Sequence, residues 1–509
     1  MQDDQRPLRV GLVLADPNAA RPDSARLVEI LDDMDLVDLV CIVASGEEAT
    51  SATSLMSSAL ALETAVTRQT ARDVPIPGLH DRDILPADPG IVPDLDLILD
   101  DSGIPAVEEL AGNAEHGIWR LSTVDPESGL HAAVTNAPVT PVRLWSFTSE
   151  EEGWRRIAET EFDTKFLASR NLLFQREKAV RFLTGQLARL ALCEVPVLEE
   201  LPDEVPDDKA ASVLQLPQYV GRVAAEAAVR SANTIRARMG GRPGRFCLRL
   251  AEGTALTFDP VSAVEFDAPA GSYWADPFLI AHQGEVHVFF EVFDYRSGRG
   301  HIAAGRLNEG RLDFVGDAIR TSYHLSYPFV FQHGDDIFML PETSEGKRLE
   351  LWRATDFPLG WTLHATAMEG VSASDSTLAK VGGDWWLFTN LCEDSFDDFC
   401  SELHLFRVDG PDLAEIIPHP MNPVVVNSRT ARGGGRVFQQ DGRLFRPSQD
   451  NSHGTYGYGL NIMEIEALDM DRYQEKLVRH ITPRQVPGTI GIHHIDVLDG
   501  QVIFDVRKR

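Results

Sequence analysis

The sequence predicts two folds in one chain: an α/β, Rossmann-like domain over residues 1–195, a linker with one helix over 196–244, and an all-β five-bladed propeller over 245–509. Three observations carry this reading. Apolar, strand-like runs alternate with a helical pattern near the start. An acidic stretch with two prolines, ELPDEVPDDKA (Glu200–Ala210), breaks the pattern. From Gly271 onward, one strand–turn–strand pattern recurs five times at a spacing of about 40–65 residues.

At 509 residues the chain is too long for one ordinary core. It carries 78 acids against 47 bases, a net charge of −31, and only 7 of the bases are lysines. A field this negative argues against nucleic acid and against anionic membrane surfaces, yet a local arginine cluster can reverse its sign at one site. The five cysteines (Cys41, Cys193, Cys247, Cys392, Cys400) show no CxxC pair and no metal spacing. The first residues, MQDDQRPLRV, hold no apolar core of signal-peptide length, and no run of about 18 apolar residues occurs, so a cytoplasmic protein without a membrane span is expected.

LRVGLVLA (Leu8–Ala15), LVDLVCIVAS (Leu36–Ser45) and DLDLILDDSG (Asp94–Gly103) read as buried parallel strands, and SARLVEILDDM (Ser24–Met34) as a helix between the first two. Arg156–Cys193 is expected to be mostly helical. No GxGxxG follows the first strand, so the dinucleotide fingerprint is missing. QYVGRVAAEAAVRSANTIRARM (Gln218–Met239) reads as one connecting helix, with Arg222, Arg230, Arg236, Arg238 and Arg242 on a solvated face.

The repeat units open on YWADPFLIAHQGEVHVFFE, LSYPFVFQHGDDIFMLPE, SDSTLAKVGGDWWLFTN, RGGGRVFQQDGRLFRPSQ and GIHHIDVLDGQVIFDV. Their Gly/Asp turns are hairpin signals between β-rich runs. Five units predict five blades, and FCLRL (Phe246–Leu250) is expected to complete the last one. Aligned on the hairpin turns, Asp276, Tyr327, Asp375 and Gly434 take equivalent places, with His493 and His494 there in the last unit. Inner strands of a propeller start near its axis, so these residues should converge on one pocket, where neighbouring carboxyls push each other's pKa values apart. Two adjacent histidines on a strand point to opposite faces, so one His facing the pocket is expected rather than a metal; no metal and no cofactor is called for.

The N-terminal layout resembles a formyltransferase-like α/β domain over roughly 8–193. HGIWRLSTVDPESG (His116–Gly129) lies where that family carries its catalytic strand end, and there Arg120 and Ser122 replace the amide and imidazole. Glu151, Glu152 and Gly153 stand at the downstream acid position. The resemblance therefore implies a degenerate domain. In the second half, YWADPF and SDSTL with WWLFTN resemble the first and third blades of glycoside hydrolase family 43 propellers. WADPF, FFEVFDYRSGRGHIA, HLSYPF, MLPETS, DSTL, RLFRPSQD and YGYG are more similar to the propeller found N-terminally in plant glucosamine inositolphosphorylceramide transferases. That group includes proteins that join the propeller to a formyltransferase-like domain.

The resemblance implies Asp276 as catalytic base and Asp375 as its tuning partner. It also implies a blade-four acid, but TARGGGRVF (Thr430–Phe438) holds Arg432 and no acid. A phosphate leaving group needs positive charge rather than a proton, and Arg432, Arg436 and Arg446 are candidates to supply it. The expected activity is inverting glycosyl transfer from a phosphate-activated sugar to an acceptor. The alternatives are an inverting hydrolase, with Glu342 or Glu291 as acid, and a non-catalytic sugar-binding module. Trp274, His324, Tyr327, Arg432, Arg446, Asp450, Tyr456, His493 and His494 are the expected substrate contacts, with Asp276, Asp375 and Glu342 catalytic.

Overall fold

The computed structural model describes residues 6–46, 55–67, 72–192, 213–238 and 245–508. The chain divides into two compact units, Met1–Val229 and Arg230–Arg509.

The first unit is built on a seven-stranded sheet. Its order across the sheet is Ile84–Pro86, Val37–Ala44, Leu8–Leu14, Leu97–Asp100, Ile118–Leu121, Val139–Phe147, Trp154–Asp163. The first five strands are parallel and the last two antiparallel, so the sheet is mixed. Val13, Val43, Ile98 and Ile118 are fully buried, as near-continuous apolar strands covered on both faces must be. Helix Pro22–Asp32 joins the first two strands and carries its start proline where a missing N–H costs nothing.

Two expectations need correction here. Residues 154–163 form a strand, and the long helix begins only at Ala168 and runs to Ala191. WRRIAETEFD has few apolar residues and only weak alternation, so its strand signal is faint beside the helical segment that follows. The connecting helix, Leu216–Arg238, is not a free spacer along its first half. Tyr219 is buried, its hydroxyl accepts the Ala168 N–H at 2.8 Å, and Arg222 donates to the carbonyls of Ala133 and Val134. Cys193, the Glu200–Ala210 stretch, Arg242 and the side chains of Arg236 and Arg238 lie outside the described residues.

The second unit is a five-bladed propeller. Four sheets cover 272–319, 326–367, 373–418 and 438–481. The fifth joins 489–508 to strands Arg245–Glu252 and Val264–Phe266 from the start of the unit. Arg245–Glu252 runs antiparallel to Gln501–Lys508 over eight paired residues, so the two ends of the unit share one blade and no inner blade edge is left open.

The hairpin turns follow the sequence signals. Gln283–Gly284, Asp441–Gly442 and Asp499–Gly500 all take positive φ at both residues, the backbone of a two-residue turn that matches strand twist.

The blade openings share a less expected feature. The inner strands of the first three blades slip register at Ala275/Phe278, Ser326/Phe329 and Ser374/Thr377. Within those bulges Asp276, Tyr327 and Asp375 sit at φ of 51°, 46° and 50°. A left-handed residue other than glycine costs about 1–3 kcal/mol and persists where the surroundings over-determine it. Three such residues, one per blade, mark the axial end of the propeller as a built site.

Candidate active site

Asp276 is buried between blade one and blade five. Its backbone N–H donates to Asp505 Oδ2 at 3.0 Å, and its Oδ2 accepts the Tyr327 N–H at 3.3 Å. Its Oδ1 lies 3.4 Å from His493 Nε2. The other ring nitrogen of His493, Nδ1, donates to Asp505 Oδ1 at 2.6 Å, and that oxygen also accepts the backbone N–H groups of His493 and His494. The result is a chain of three side chains, Asp505–His493–Asp276. These three stand close enough to suggest a metal. Asp505, however, has both oxygens filled by four donors, so the geometry is that of an orienting pair behind Asp276 rather than of an open ligand set.

Burial pushes the Asp276 carboxyl up to about 7; Asp505 and Asp375 add to this, while His493 and the Tyr327 N–H oppose it. Burial would lower His493, but the contact with Asp505, helped by Asp276 and Asp375, wins and holds it up at about 9. His493 is thus an imidazolium at neutral pH, stacked on Phe246 with centroids 4.6 Å apart and met edge-on by Tyr456 at 5.5 Å.

The other half of the site centres on Arg432. Its Nε–H donates to Asp375 Oδ2 at 2.6 Å, and a terminal nitrogen lies 3.5 Å from Glu342 Oε2. Gln449 Nε2 donates to the same Asp375 oxygen at 3.0 Å, and the Asp375 N–H donates to Glu342 at 3.2 Å. Burial pushes Asp375 up to about 7 against the pull of Arg432, with Glu342 adding to the rise. Tyr456 lies over the guanidinium at 5.4 Å. The acidic loop Cys392–Cys400, which reads as solvated, reaches this group: the carbonyl of Phe399 accepts from Arg432 at 3.4 Å.

Blade four carries glycines where its acid is missing. The Gly433 N–H is held by Asn390 Oδ1 at 2.9 Å and the Gly435 N–H by the Tyr327 hydroxyl at 2.9 Å. Gly435 sits at φ 145°, and a Cβ there would fall 2.0 Å from the Ile495 carbonyl oxygen. Backbone packs on backbone at Gly435, so that position admits no side chain.

The remaining expected contacts divide clearly. His324 stands at the first blade, its Nδ1 accepting the Gly300 N–H at 2.9 Å and its Nε2 3.4 Å from Glu291. Tyr327 is fully buried and forms wall rather than surface. His494 turns away from its neighbour, as adjacent strand residues must, and stacks edge-on against Phe278 and Tyr327; burial drives its pKa to about 3, so it is neutral. Three residues leave the candidate site. Trp274 packs inside blade one on Phe290 and Phe314. Arg446 is spent on a forked pair with Glu475, at 2.9 and 2.6 Å, and on the carbonyls of Thr430 and Ala431. Asp450 is met by His480 at 3.0 Å and Arg429 at 3.6 Å. Arg436, a further phosphate candidate, is bound to Asp496 and to the carbonyls of Leu279 and Val330.

The sequence reading missed Asp505, Gln449 and Asn390, although a signal was present. Glu291, Glu342 and Asn390 stand opposite Ala275, Ser326 and Ser374, the residues just before the strained trio. Each is the last residue of a matching triplet on the second strand: FFE, LPE, FTN, then PSQ and IFD in the last two blades. The alignment that located Asp276 also contains this second ring. Glu291 is its outlier. It is buried, its Oε1 makes no hydrogen bond and has only the His324 ring at 3.4 Å, and burial, with Asp276 and Glu342 nearby, raises its pKa well above the usual range.

Residues 255–497 match a family model, described as the N-terminal part of glucosamine inositolphosphorylceramide transferase 1. The protein of that name from Oryza sativa subsp. japonica is 37% identical over 208 residues, covering 40% of this chain and 28% of the relative. The Arabidopsis thaliana protein of the same name is 33% identical over 235 residues, covering 44% and 30%. The chain thus spans under a third of the length of the curated relatives it matches. Among solved structures, a family 117 glycoside hydrolase from Zobellia galactanivorans covers 52% of this chain and 90% of its own, at 11% identity and a TM-score of 0.35. The catalytic domain of a Coprinopsis cinerea family 62 arabinofuranosidase gives 51%, 97%, 13% and 0.36. At those scores the likeness says nothing of chemistry.

Proposed function

We propose that the axial pocket catalyses glycosyl transfer from a phosphate-activated sugar to an acceptor hydroxyl. The observation that carries this is Asp276: a carboxyl poised near neutral pH, fixed in a strained backbone position and oriented by the His493–Asp505 pair. A base with a pKa near the working pH combines the right protonation state with the strongest driving force for proton removal. In this mechanism Asp276 takes the acceptor proton while the acceptor oxygen attacks the anomeric carbon from the face opposite the leaving group. Asp375 and Glu342 hold Arg432, and Arg432 meets the departing phosphate. The curated relatives are transferases by name, which supports transfer, although the matched stretch is only a part of them.

Arg432 is the one arginine of the three expected ones that faces this group of residues. The pocket also holds five carboxyls, those of Asp276, Glu291, Glu342, Asp375 and Asp505. Burial raises the Glu291 pKa and leaves Asp276 and Asp375 only partly ionised at neutral pH, so the site is less anionic than its composition suggests.

A second reading, hydrolysis of a glycosidic bond, is favoured by Glu291. A buried carboxyl whose pKa is raised by burial and by Asp276 is the kind of group that can protonate an alkoxide leaving group while Asp276 serves as base. A panel of nucleotide sugars and oligosaccharides separates the two. Transfer predicts stabilisation and turnover of a nucleotide sugar, lost in Arg432→Ala. Hydrolysis predicts release of reducing sugar from an oligosaccharide, lost in Glu291→Gln. For the first unit we propose the degenerate formyltransferase-like assignment, with domain limits at 195 and 245; its five parallel strands support it.

A further inference from the structure

The α/β unit carries a cleft of its own. Leu8–Leu14 and Leu97–Asp100 lie side by side and parallel, and the chain leaves them toward opposite edges of the sheet, to Val37–Ala44 and to Ile118–Leu121. The carboxyl ends of strands part at such a switch point, which is where open α/β sheets bind ligands. A small cleft, partly open to solvent, lies at this point. Arg176, Ser24, Trp119 and Thr123 line it together with three aspartates, Asp23, Asp100 and Asp101, and Leu12, Leu99 and Val180 form apolar wall.

The charges around it are unevenly satisfied. Asp100 Oδ1 accepts from the Ser102 N–H and hydroxyl and from the Gly103 N–H, while Oδ2 accepts from Arg120. Asp101 is held by Arg21 and by the Ser24 hydroxyl, and Arg21 also reaches Asp23. Arg176, on the long helix, uses only its Nε–H, on the Thr123 carbonyl at 3.1 Å. Its two terminal nitrogens have no hydrogen-bond partner among the described residues. Burial and the neighbouring Arg21 both work against its charge, with Asp23, Asp101 and Asp125 opposing from a distance. An arginine in this position has a forked pair of donors directed at nothing the chain supplies.

We propose that the cleft binds a small oxyanion, the carboxylate or phosphate head of a metabolite, through the terminal guanidinium nitrogens of Arg176. Size sets the class. The space deep enough to enclose a water-sized sphere is only about 20 Å³, which is one or two waters' worth. A single oxyanion head fits that depth, with any apolar body of the ligand lying against Leu12, Leu99 and Val180; a whole dinucleotide does not. This site is independent of the propeller reaction and does not rest on it.

The test is titration of the full chain with inorganic phosphate and with acetate, followed by calorimetry and by the fluorescence of Trp119, assigned with Trp119→Phe. Saturable binding reported by Trp119 is expected, weakened at least tenfold in Arg176→Gln and weakened less in Arg176→Lys. Far-UV circular dichroism of Arg176→Gln should match the parent. If Arg176→Gln misfolds, Arg176→Lys carries the test, since loss of the fork alone must still weaken binding. No saturable binding of either anion, or equal binding by the parent and both Arg176 variants, overturns the proposal. Trp119-reported binding lost in Arg432→Ala instead would place the anion in the propeller and overturn it as well.

Discussion

Replacing His493 by glutamine removes the cation beside the proposed base and leaves a side chain able to hydrogen-bond. The imidazole Nε2 lies 3.4 Å from Asp276 Oδ1. At an effective dielectric of about 20, a unit pair at that distance is worth about 5 kcal/mol, more than three pH units of pKa shift. Asp505 holds the same imidazolium more closely, at 2.6 Å, so only part of that is felt by Asp276. A rise of about 1–2 units is the reasoned share, taking Asp276 from about 7 to about 8–9. Asp276 works as its carboxylate, so the rising limb of the kcat/KM–pH profile should move upward by that amount. A profile that keeps its limb in place while the variant folds normally refutes the claim that His493 sets the ionisation of Asp276. A downward move refutes it more strongly.

Three further outcomes follow from the same geometry. Asp276→Asn should cut turnover by about 10²–10⁴ while leaving donor affinity near that of the parent, as measured by calorimetry beside steady-state kinetics. The two arginines should separate: Arg446→Met breaks a buried forked pair and should cost about 3–5 kcal/mol of stability by denaturant unfolding, whereas Arg432→Ala should weaken donor binding at least tenfold. Stability should fall as pH rises. His493 is held up at about 9 against an ordinary 6.5, so its contribution is complete below about 6.5 and lost by about 9. Asp276 and Asp375 are raised from 3.8 to about 7, so they too favour folding at low pH and lose that contribution between about pH 4 and 7. The melting temperature should therefore drop from about pH 4 to about pH 9.

The propeller was legible because its signals are local and repeated. Each hairpin carries its own turn residues, and five copies set the blade count, the axis and the strand Phe246–Leu250 that returns to close the ring. Asp276 and Asp375 were found by the same register. What the first ring hid was the ring behind it. Asp505 lies 229 residues from Asp276 in the chain, and only the closed circle brings them together. Arg446 and Arg432 look alike in sequence, and their different roles depend on Glu475 and Asp375, partners that the spacing does not reveal. Trp274 stands two residues from Asp276, which strand alternation alone would put on the same face; the bulge at Ala275/Phe278 separates them, and Trp274 packs inside the blade. In the α/β unit the strand at Trp154–Asp163 was read as helix because its apolar residues are few and its alternation is weak.

The central claim is that Asp276 is the base of a transfer from a phosphate-activated sugar. The most direct measurement is product analysis by mass spectrometry and NMR of the full chain incubated with a panel of nucleotide sugars and polyol or glycolipid acceptors. The account predicts a glycosylated acceptor of inverted anomeric configuration with one released nucleoside phosphate per transfer, reduced at least a hundredfold in Asp276→Asn with donor binding retained. Full turnover by Asp276→Asn, or a product of retained configuration, contradicts it.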